Sequence, residues 1–302
     1  MAYMSEESEG IATKPEPRSA NMRDLQAIKA EITERGEGVS QPIFKGLHGH
    51  DPKHNRLLAA LPVASYERIL PHLEFCSMPF ESIVCEAEEQ FRHVHFPTCS
   101  IVSLLYETEN GASAEIAVIG NEGVVGIPLF MGGGASISRV VVRSAGYGFR
   151  LNANIFKEEF GRGGALQQLL LRYTQALITQ MSHIAVCNRH HSIVQQLCRL
   201  LLSSVDRLPS NELVMTQGLI GTMLGVRRES IAEAAGKLQE EGLIHYQRGH
   251  ITVLDRPGLE SRVCECYACV KKAYDRVLCD KPVSESAEMS SDDVKRSRRM
   301  DD

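Results

Sequence analysis

The sequence has no run of apolar residues long enough to cross a bilayer. Its 302 residues are 43% hydrophobic, but no stretch reaches the roughly 18–20 consecutive apolar residues of a membrane helix. The first twenty residues, MAYMSEESEGIATKPEPRSA, have no apolar core of the kind found in secretory signal peptides. These absences predict a cytoplasmic protein with no membrane partner.

Excess positive charge and the common catalytic motifs are missing as well. The formal net charge is −5, so any contact with nucleic acid must come from a local basic patch. No P-loop, HExxH or Ser-His-Asp pattern is present, and we expect the protein not to be an enzyme. The nine cysteines are scattered and odd in number, which favours reduced thiols over a disulfide framework.

The rest of the chain is organised around residues 214–254, which from Thr216 on have the sequence TQGLIGTMLGVRRESIAEAAGKLQEEGLIHYQRGHITVL. Thr216 is a candidate N-cap of a short helix, and Gly225 can supply the turn before a second helix over residues 227–241. Apolar residues recur at helical spacing in that second helix. Two short β-like runs joined by residues 247–250 then indicate a hairpin with a basic tip. This pattern predicts a winged helix-turn-helix, which reads DNA.

This order of elements, with GVRRES opening the second helix, resembles the C-terminal domain of Crp/Fnr-type bacterial transcription regulators. The resemblance extends upstream across residues 55–278. Between residues 73 and 151, short β-like runs separated by turn residues indicate an all-β sandwich or barrel. The fold class we expect is α+β, with an N-terminal β jelly-roll sensor domain, a long dimerisation helix and a C-terminal winged helix-turn-helix.

The resemblance divides the chain into five parts. Residues 1–54 are predicted to be a disordered or weakly helical extension, and residues 55–163 a jelly roll similar to cyclic-nucleotide-binding domains. Residues 164–188 are predicted to form the dimerisation helix, with the hinge placed at Asn188 and Arg189. The DNA-binding domain covers residues 189–279, and residues 280–302 are predicted to be a disordered tail.

The long helix carries one apolar stripe with a spacing of three or four residues. The resemblance implies that this stripe is the seam of a parallel homodimer, because two recognition helices one DNA turn apart need a two-fold partner. The alternative is that the stripe packs on the barrel of its own chain. Its members are Leu166, Leu170, Tyr173, Leu177, Met181 and Ile184.

Helix-turn-helix proteins contact base edges with the first exposed turns of the second helix. The predicted base contacts are Arg228, Glu229, Ser230 and Glu233. Many members of the family have a second basic residue where this chain has Glu233, which puts the familiar half-site sequence in doubt. The predicted phosphate contacts are Thr216, Gln217, Arg227, Lys237, Arg248 and His250. The expected partners are a near-palindromic double-stranded operator and a second copy of the chain, with RNA polymerase as a further candidate.

The stretch that binds the phosphate and ribose of cAMP in related domains departs from their pattern. Those domains carry a Gly-Glu pair and a later Arg followed by a small hydroxyl residue. Here Gly126 precedes Ile127, and Arg139 precedes Val140. Without these partners the charged groups of the ligand would be buried unsatisfied. We therefore expect an effector pocket at Gly126, Ile127 and Arg139 that does not bind cAMP in the usual way.

Two groups of cysteines and histidines are candidate metal or redox sites. One lies near the C-terminus, and its members are Cys264, Cys266, Cys269 and Cys279. The other surrounds the predicted hinge, and its members are His183, Cys187, His190 and His191. Thiolate and imidazole bind zinc, copper or haem iron, whereas simple packing is the alternative for both groups. The cofactor is left open among a metal ion, haem, a small-molecule effector and none.

Two other protein classes compete with this interpretation. His93 and His95 alternate on a predicted strand, as in the metal-binding strand of cupin-like jelly-roll enzymes. The cupin pattern also needs a nearby Glu and a later His, and this chain has Cys99 and Ser100 in the first stretch and no His before His183. A helix-turn-helix scaffold that binds protein is the second competitor, and the basic hairpin tip argues against it.

Overall fold

The computed structural model describes residues 51–109 and 111–279, with the side chain of Cys279 excepted. Most of the predicted N-terminal extension and all of the predicted C-terminal tail lie outside these residues. Two short helices, α1 (Arg56–Ala59) and α2 (Val63–Ile69), lie near the start of the described chain. The amide of buried Asn55 donates to the carbonyls of Pro97 and Gly123, at 2.9 and 2.8 Å, and so fastens this end to the following domain.

Seven antiparallel strands form the first domain, in two sheets of order β1-β7-β3 and β2-β6-β4-β5. The strands are β1 (Glu74–Met78), β2 (Ile83–Cys85), β3 (His93–Pro97), β4 (Ile101–Glu107), β5 (Ser113–Ile119), β6 (Arg139–Ser144) and β7 (Gly146–Asn152). Side chains alternate between the faces of each strand, and the inward ones, such as Val94, Phe96, Val102 and Leu151, join a single apolar cluster. The predicted β domain is confirmed.

A short helix, α3 (Pro128–Met131), lies between β5 and β6, and α4 (Ala153–Gly161) follows β7. The long helix α5 (Ala165–His190) comes next and has 26 residues. It ends where His191 adopts an extended conformation. Helix α6 (Ile193–Val205) starts immediately afterwards, with a capping box between Ser192 and Gln195.

The predicted hinge at Asn188 and Arg189 is therefore wrong, because both residues lie inside α5. The chain changes direction at His191 and Ser192 instead. The cause is local: the capping box of Ser192 fixes the start of α6 and leaves only two extended residues, His191 and Ser192, between the two helices.

The predicted dimer seam also needs correction. Five of its six residues are buried within the protomer, none more than 6% exposed, and Met181 packs partly against the same core. The stripe thus packs on its own chain, which was the alternative interpretation. The five are Leu166, Leu170, Tyr173, Leu177 and Ile184.

The C-terminal domain combines a three-stranded sheet with four further helices. The strands β8 (Glu212–Val214), β9 (Ile244–Gln247) and β10 (His250–Val253) pair in the order β8-β10-β9. Helices α7 (Gln217–Leu224) and α8 (Arg228–Glu240) precede the hairpin β9–β10. The sequence analysis did not predict β8, which pairs only three residues with β10.

The amphipathic spacing of residues 258–278 predicts a single further helix, whereas the structure has two, α9 (Arg256–Arg262) and α10 (Glu265–Cys279). They are separated by Val263, which is extended, and Cys264. Because of this break, α10 turns back along α5, and its Tyr274 and Val277 enter the apolar core of the β domain. Helix α10 thus contacts both domains. None of the helices in the described part of the chain is long and apolar enough to span a membrane.

Candidate DNA-binding surface and cysteine–histidine cluster

Three local features build the α7–turn–α8 unit. The Thr216 hydroxyl accepts a hydrogen bond from the Leu219 amide at 3.1 Å and so caps α7, as predicted. Gly225 ends that helix with a φ of 66°, a conformation that glycine adopts without strain. At Gly221 a Cβ atom would lie only 2.9 Å from the carbonyl oxygen of Val226, so glycine is needed where the helix meets the turn.

One face of α8 is buried and the other is open to solvent. Ile231, Ala234, Ala235 and Leu238 are buried against α6 and α7. Of the four predicted base contacts, Arg228, Glu229 and Glu233 are exposed and Ser230 is half-buried. Glu233 forms an ion pair with Lys237 one turn later, at 2.7 Å. The hydrogen bond from Lys237 lowers the pKa of Glu233, so this carboxylate is charged at neutral pH.

The predicted phosphate contacts belong to three elements: Thr216 and Gln217 to the start of α7, Arg227 and Lys237 to α8, and Arg248 and His250 to the β9–β10 hairpin. Arg227 is the exposed N-cap of α8. Arg248 and Gly249 form the tip of the β9–β10 hairpin with φ angles of 50° and 83°, which matches a two-residue type I′ turn. The hairpin is held close to α7, since the Met215 amide donates to the Gly249 carbonyl at 2.8 Å.

Tyr246 fixes the hairpin, which is the wing of the predicted motif, at both ends. Its hydroxyl donates to the Met215 carbonyl at 2.9 Å, and its amide donates to the Gln239 side chain at 2.7 Å. Burial raises the pKa of the Tyr246 phenol to about 12, so the hydroxyl remains a donor at neutral pH. These two hydrogen bonds fix the position of the wing, and of the charged residues at its tip, relative to α8.

Arg139, the cation of the predicted effector pocket, is paired within its own domain. The Arg139 guanidinium forms an ion pair with Glu86 at 3.1 Å. Gly126 has a φ of 116°, and Ile127 precedes the one-turn helix α3. The only basic side chain proposed for this pocket is therefore already bound to a carboxylate of the same domain.

The structure brings members of both cysteine–histidine groups together. Cys187 and His191 lie one turn apart at the end of α5. Cys264 lies in the break between α9 and α10, and Cys266 lies in the first turn of α10. Their ligand atoms all lie within 4.8 Å of one another. The Sγ atoms of Cys187 and Cys264 are 3.6 Å apart, and Cys266 Sγ lies 3.7 Å from His191 Nδ1. We call these four residues the Cys3His cluster.

The remaining candidates of these two groups stay apart from the Cys3His cluster. His190 and Cys269 are exposed, and half-buried His183 lines a cleft between α5, α6 and α10. For Cys279 the helix position is described but the side chain is not. Burial and the adjacent Cys264 raise the pKa of the Cys266 thiol to about 12, and burial also raises that of Cys187. Buried thiols of raised pKa react slowly with oxidants.

Two residues that the sequence analysis did not single out surround the Cys3His cluster. Arg199 of α6 donates from Nε to Cys187 Sγ at 3.2 Å. Glu265 lies 3.3 Å from His191 Nε2, on the side of the ring away from Cys266. Glu265 is a neighbour of both cysteines in sequence and could have been considered, whereas Arg199 is brought in only by the fold.

His93 and His95 do lie on one strand, with ring centroids 6.3 Å apart. Burial lowers the pKa of His95 to about 4, with His93 and Arg150 adding to the effect. Among the described residues, only the Cys3His cluster groups three or more side chains of metal-binding type. The histidine pair thus lacks the further ligands that a cupin-type metal site requires.

Two buried ion pairs belong to the contact between the β domain and α6. Arg143 of β6 binds Glu115 of β5 at 3.0 Å and also donates to Ser204 of α6 at 2.9 Å. Glu122, which follows β5, binds Arg207 just after α6 at 2.8 Å. All four charged side chains are nearly inaccessible, with at most 7% exposed. None of these contacts was predicted from the sequence.

Comparison with known proteins agrees with this geometry. Residues 195–262 match the family model of the Crp-like helix-turn-helix domain. The chain has the fold of Crp/Fnr family regulators. The expected fold class is confirmed, and so is the expected likeness to the helix-turn-helix domain of Crp-type regulators. No curated protein matches the chain.

Solved structures extend the likeness across both domains of the Crp/Fnr fold. FixK2 from Bradyrhizobium japonicum superposes with a TM-score of 0.56 at 14% identity, covering 64% of this chain and 98% of FixK2. A structure described as a Crp/Fnr family regulator from Eubacterium rectale has a TM-score of 0.50 at 18% identity, covering 70% of this chain and 98% of its own. A CRP family regulator from Thermus thermophilus has a TM-score of 0.51 at 15% identity, with 62% and 95% covered.

Proposed function

We propose that this chain is a homodimeric transcription regulator that binds a near-palindromic DNA operator with α8. The observation that carries the proposal is the exposed start of α8, where Arg227, Arg228 and Glu229 stand clear of the domain core. Arg228 can donate to guanine O6 and N7, and Glu229 can accept from cytosine N4. Arg227 and Arg248 flank these residues and are placed to bind phosphates, which position the protein without specifying sequence.

The proposed dimer uses the face of α5 opposite to the predicted stripe. Leu171 and Ile178 are each 50% exposed, and Ala185 continues the series at the same seven-residue interval. Gln175 and Ser182 lie between them on the same exposed side. A seven-residue repeat along an exposed helix face is the pattern of a two-helix coiled coil. A second copy of α5 is therefore the occupant that we assign to this face.

The dimer provides a route from signal to operator. The two copies of α8 must be spaced about one turn of DNA apart to bind both half-sites. A signal that prefers one arrangement of α5 and the His191–Ser192 hinge shifts the population of dimers with that spacing. We propose that this signal is not cAMP bound in the usual way, because Ile127 replaces the ribose-binding carboxylate and Arg139 is paired with Glu86.

Selection of bound sequences from random double-stranded DNA tests the proposal. The full chain should enrich a two-fold symmetric site. Arg228→Ala should weaken binding to that site by about 1–3 kcal/mol for each half-site, and the sequence preference should be lost at the one base position that Arg228 contacts. Lys271→Ala, an exposed cation on α10, serves as the matched control and should bind normally.

Two results would contradict the assignment. If the full chain enriches no sequence, it is not a sequence-specific regulator. If Arg228→Ala instead abolishes the dimer measured by sedimentation, the start of α8 has a structural role and is not the surface that contacts bases.

A further inference from the structure

The Cys3His cluster has the composition and placement of a metal site. Three thiols and one imidazole converge from two segments, although 77 residues separate Cys187 from Cys264. The three cysteines are at most 4% exposed, and the fold gathers them into a small cluster separate from the two large apolar cores. Packing alone does not explain why an imidazole nitrogen should also point at this cluster.

The spacing of the ligand atoms fits a tetrahedral zinc ion. Zinc bonds of about 2.3 Å to sulfur and about 2.0–2.1 Å to nitrogen place two sulfurs about 3.8 Å apart, and a sulfur and a nitrogen about 3.6 Å apart. The observed separations are 3.6 Å between Cys187 Sγ and Cys264 Sγ, and 3.7 Å between Cys266 Sγ and His191 Nδ1. The limit of 4.8 Å between all the ligand atoms suits a single ion better than a cluster of several irons.

Two residues around the cluster supply the hydrogen-bonding and charge partners that the ligands of a zinc site need. His191 Nδ1 faces the cysteines while Nε2 faces Glu265, and a carboxylate behind a ligating histidine orients the ring and makes it more basic. Three thiolates and a zinc ion carry a net charge of −1, and the buried Arg199 guanidinium beside Cys187 would neutralise it. A buried charge without such a partner would be costly.

We propose that Cys187, His191, Cys264 and Cys266 bind one zinc ion that fastens the hinge of the protein. The site is closed, because all four positions of a tetrahedron are taken by the protein, and this is the mark of a structural zinc site. Zinc joins the end of α5 to the junction of α9 and α10. It thereby fixes the direction in which the DNA-binding domain leaves the long helix.

Metal analysis of the full chain, purified without added chelator or oxidant, tests this site directly. We expect about one zinc per chain, lost in Cys264→Ser and in Cys266→Ser. Cys269→Ser is the matched control, since Cys269 is an exposed cysteine on the same helix, and it should retain the metal. Glu265→Gln should keep the site but lower zinc affinity about 10- to 100-fold.

Cobalt substitution keeps the proposal testable if the serine variants fail to fold. Wild-type protein loaded with Co²⁺ should show the strong visible bands of tetrahedral coordination together with thiolate-to-cobalt charge transfer. Absence of metal in the purified chain combined with failure to bind Zn²⁺ or Co²⁺ would overturn the proposal. A Cys187–Cys264 disulfide in the purified chain, or zinc retained by both serine variants, would overturn it as well.

The effect on DNA binding rests on the proposed function, but the metal measurements do not. Removal of zinc by a chelator should weaken operator binding of the wild-type protein at least tenfold. The chelator should weaken operator binding of Cys269→Ser to the same extent. Zinc bound at these residues with unchanged operator affinity after its removal would overturn the fastening role. A chain that holds zinc but selects no operator would count against the proposed function alone.

Discussion

At the scale of single residues, the helix-turn-helix depends on Gly221, which packs so closely against the turn that there is no room for a side chain. A methyl group at Gly221 would lie 2.9 Å from the Val226 carbonyl oxygen. Gly221→Ala should therefore lower the free energy of unfolding by about 1–3 kcal/mol, because the turn must move to make room. Urea denaturation of the full chain measures the change.

Gly236 on α8 provides the matched control for that substitution. A Cβ atom there would meet nothing within 4 Å, so Gly236→Ala should raise stability by up to about 1 kcal/mol through better helix propensity. Equal stability of Gly221→Ala and the wild type would show that the turn adapts and that the close approach is unimportant.

A second prediction at this scale concerns the buried histidine of β3. Burial lowers the pKa of His95 to about 4, below its ordinary value of about 6.5. Between these two pH values the unfolded chain binds a proton that the folded chain does not. The free energy of unfolding should thus fall as the pH drops from about 6.5 towards 4, by up to about 3 kcal/mol from this residue.

Denaturation at several pH values, with His95→Gln beside the wild type, isolates this contribution. The variant should lose part of the pH dependence whatever its stability at neutral pH, whereas His72→Gln, at an exposed site, should keep it. If the pH dependence of His95→Gln is the same as that of the wild type, His95 is not the group that titrates.

At the scale of elements, the periodicity of α5 predicts the helix itself but not the neighbour against which its apolar face packs. The spacing from Leu166 to Ile184 predicted a helix, because side chains three and four residues apart share a face. It did not predict which neighbour covers that face, and the β domain and α10 both do so. The exposed repeat of Leu171 and Ile178 carries fewer large apolar residues, so the sequence analysis passed over it.

Ile178→Glu tests which face of α5 forms the dimer. The substitution puts a charge on the exposed seam and should shift the protein from dimer to monomer in sedimentation experiments without unfolding it. The control is Ile137→Glu, at an isoleucine 73% exposed on the β domain, which should remain dimeric. Leu177→Glu should unfold the protomer instead, because Leu177 is 5% exposed within the core.

The winged helix-turn-helix was predictable because its signals are local. Thr216, Gly225 and the spacing of Ile231 and Leu238 each act within a few residues, and the structure realises all of them. By contrast, β8 pairs three residues with a strand 35 or more positions later. So short a strand has no periodic signal of its own and could not be predicted.

At the scale of the whole molecule, the features that were missed join distant segments. The two cysteine–histidine groups were both recognised in sequence, but the expected continuous helix over residues 258–278 kept them apart. The break at Val263 turns Cys264 and Cys266 towards the end of α5. The buried charges that link the two domains were missed for the same reason. Nothing in the local sequence of Glu122 or Arg207 indicates a partner 85 residues away.

The Glu122–Arg207 pair leads to a prediction about the cooperativity of the whole chain. Both side chains are at most 7% exposed, and Arg207 also lies over the ring of Tyr274, 5.8 Å from its centroid. Glu122→Gln leaves the guanidinium buried without its carboxylate, which should cost about 3–5 kcal/mol. Because the pair lies between the β domain and α6, that loss weakens the coupling between domains. Calorimetry should show one unfolding transition for the wild type and two for the variant.

A double substitution distinguishes lost coupling from general damage. In Glu122→Gln,Arg207→Met both charges are removed, and replacing a buried ion pair by uncharged groups of similar size is often neutral. This variant should therefore recover much of the stability lost in Glu122→Gln and return towards a single transition. If Glu122→Gln alone unfolds in one transition at the wild-type temperature, the pair does not hold the domains together. A signal that separates the domains must then act on other contacts, and the Cys3His cluster at the hinge is the next candidate.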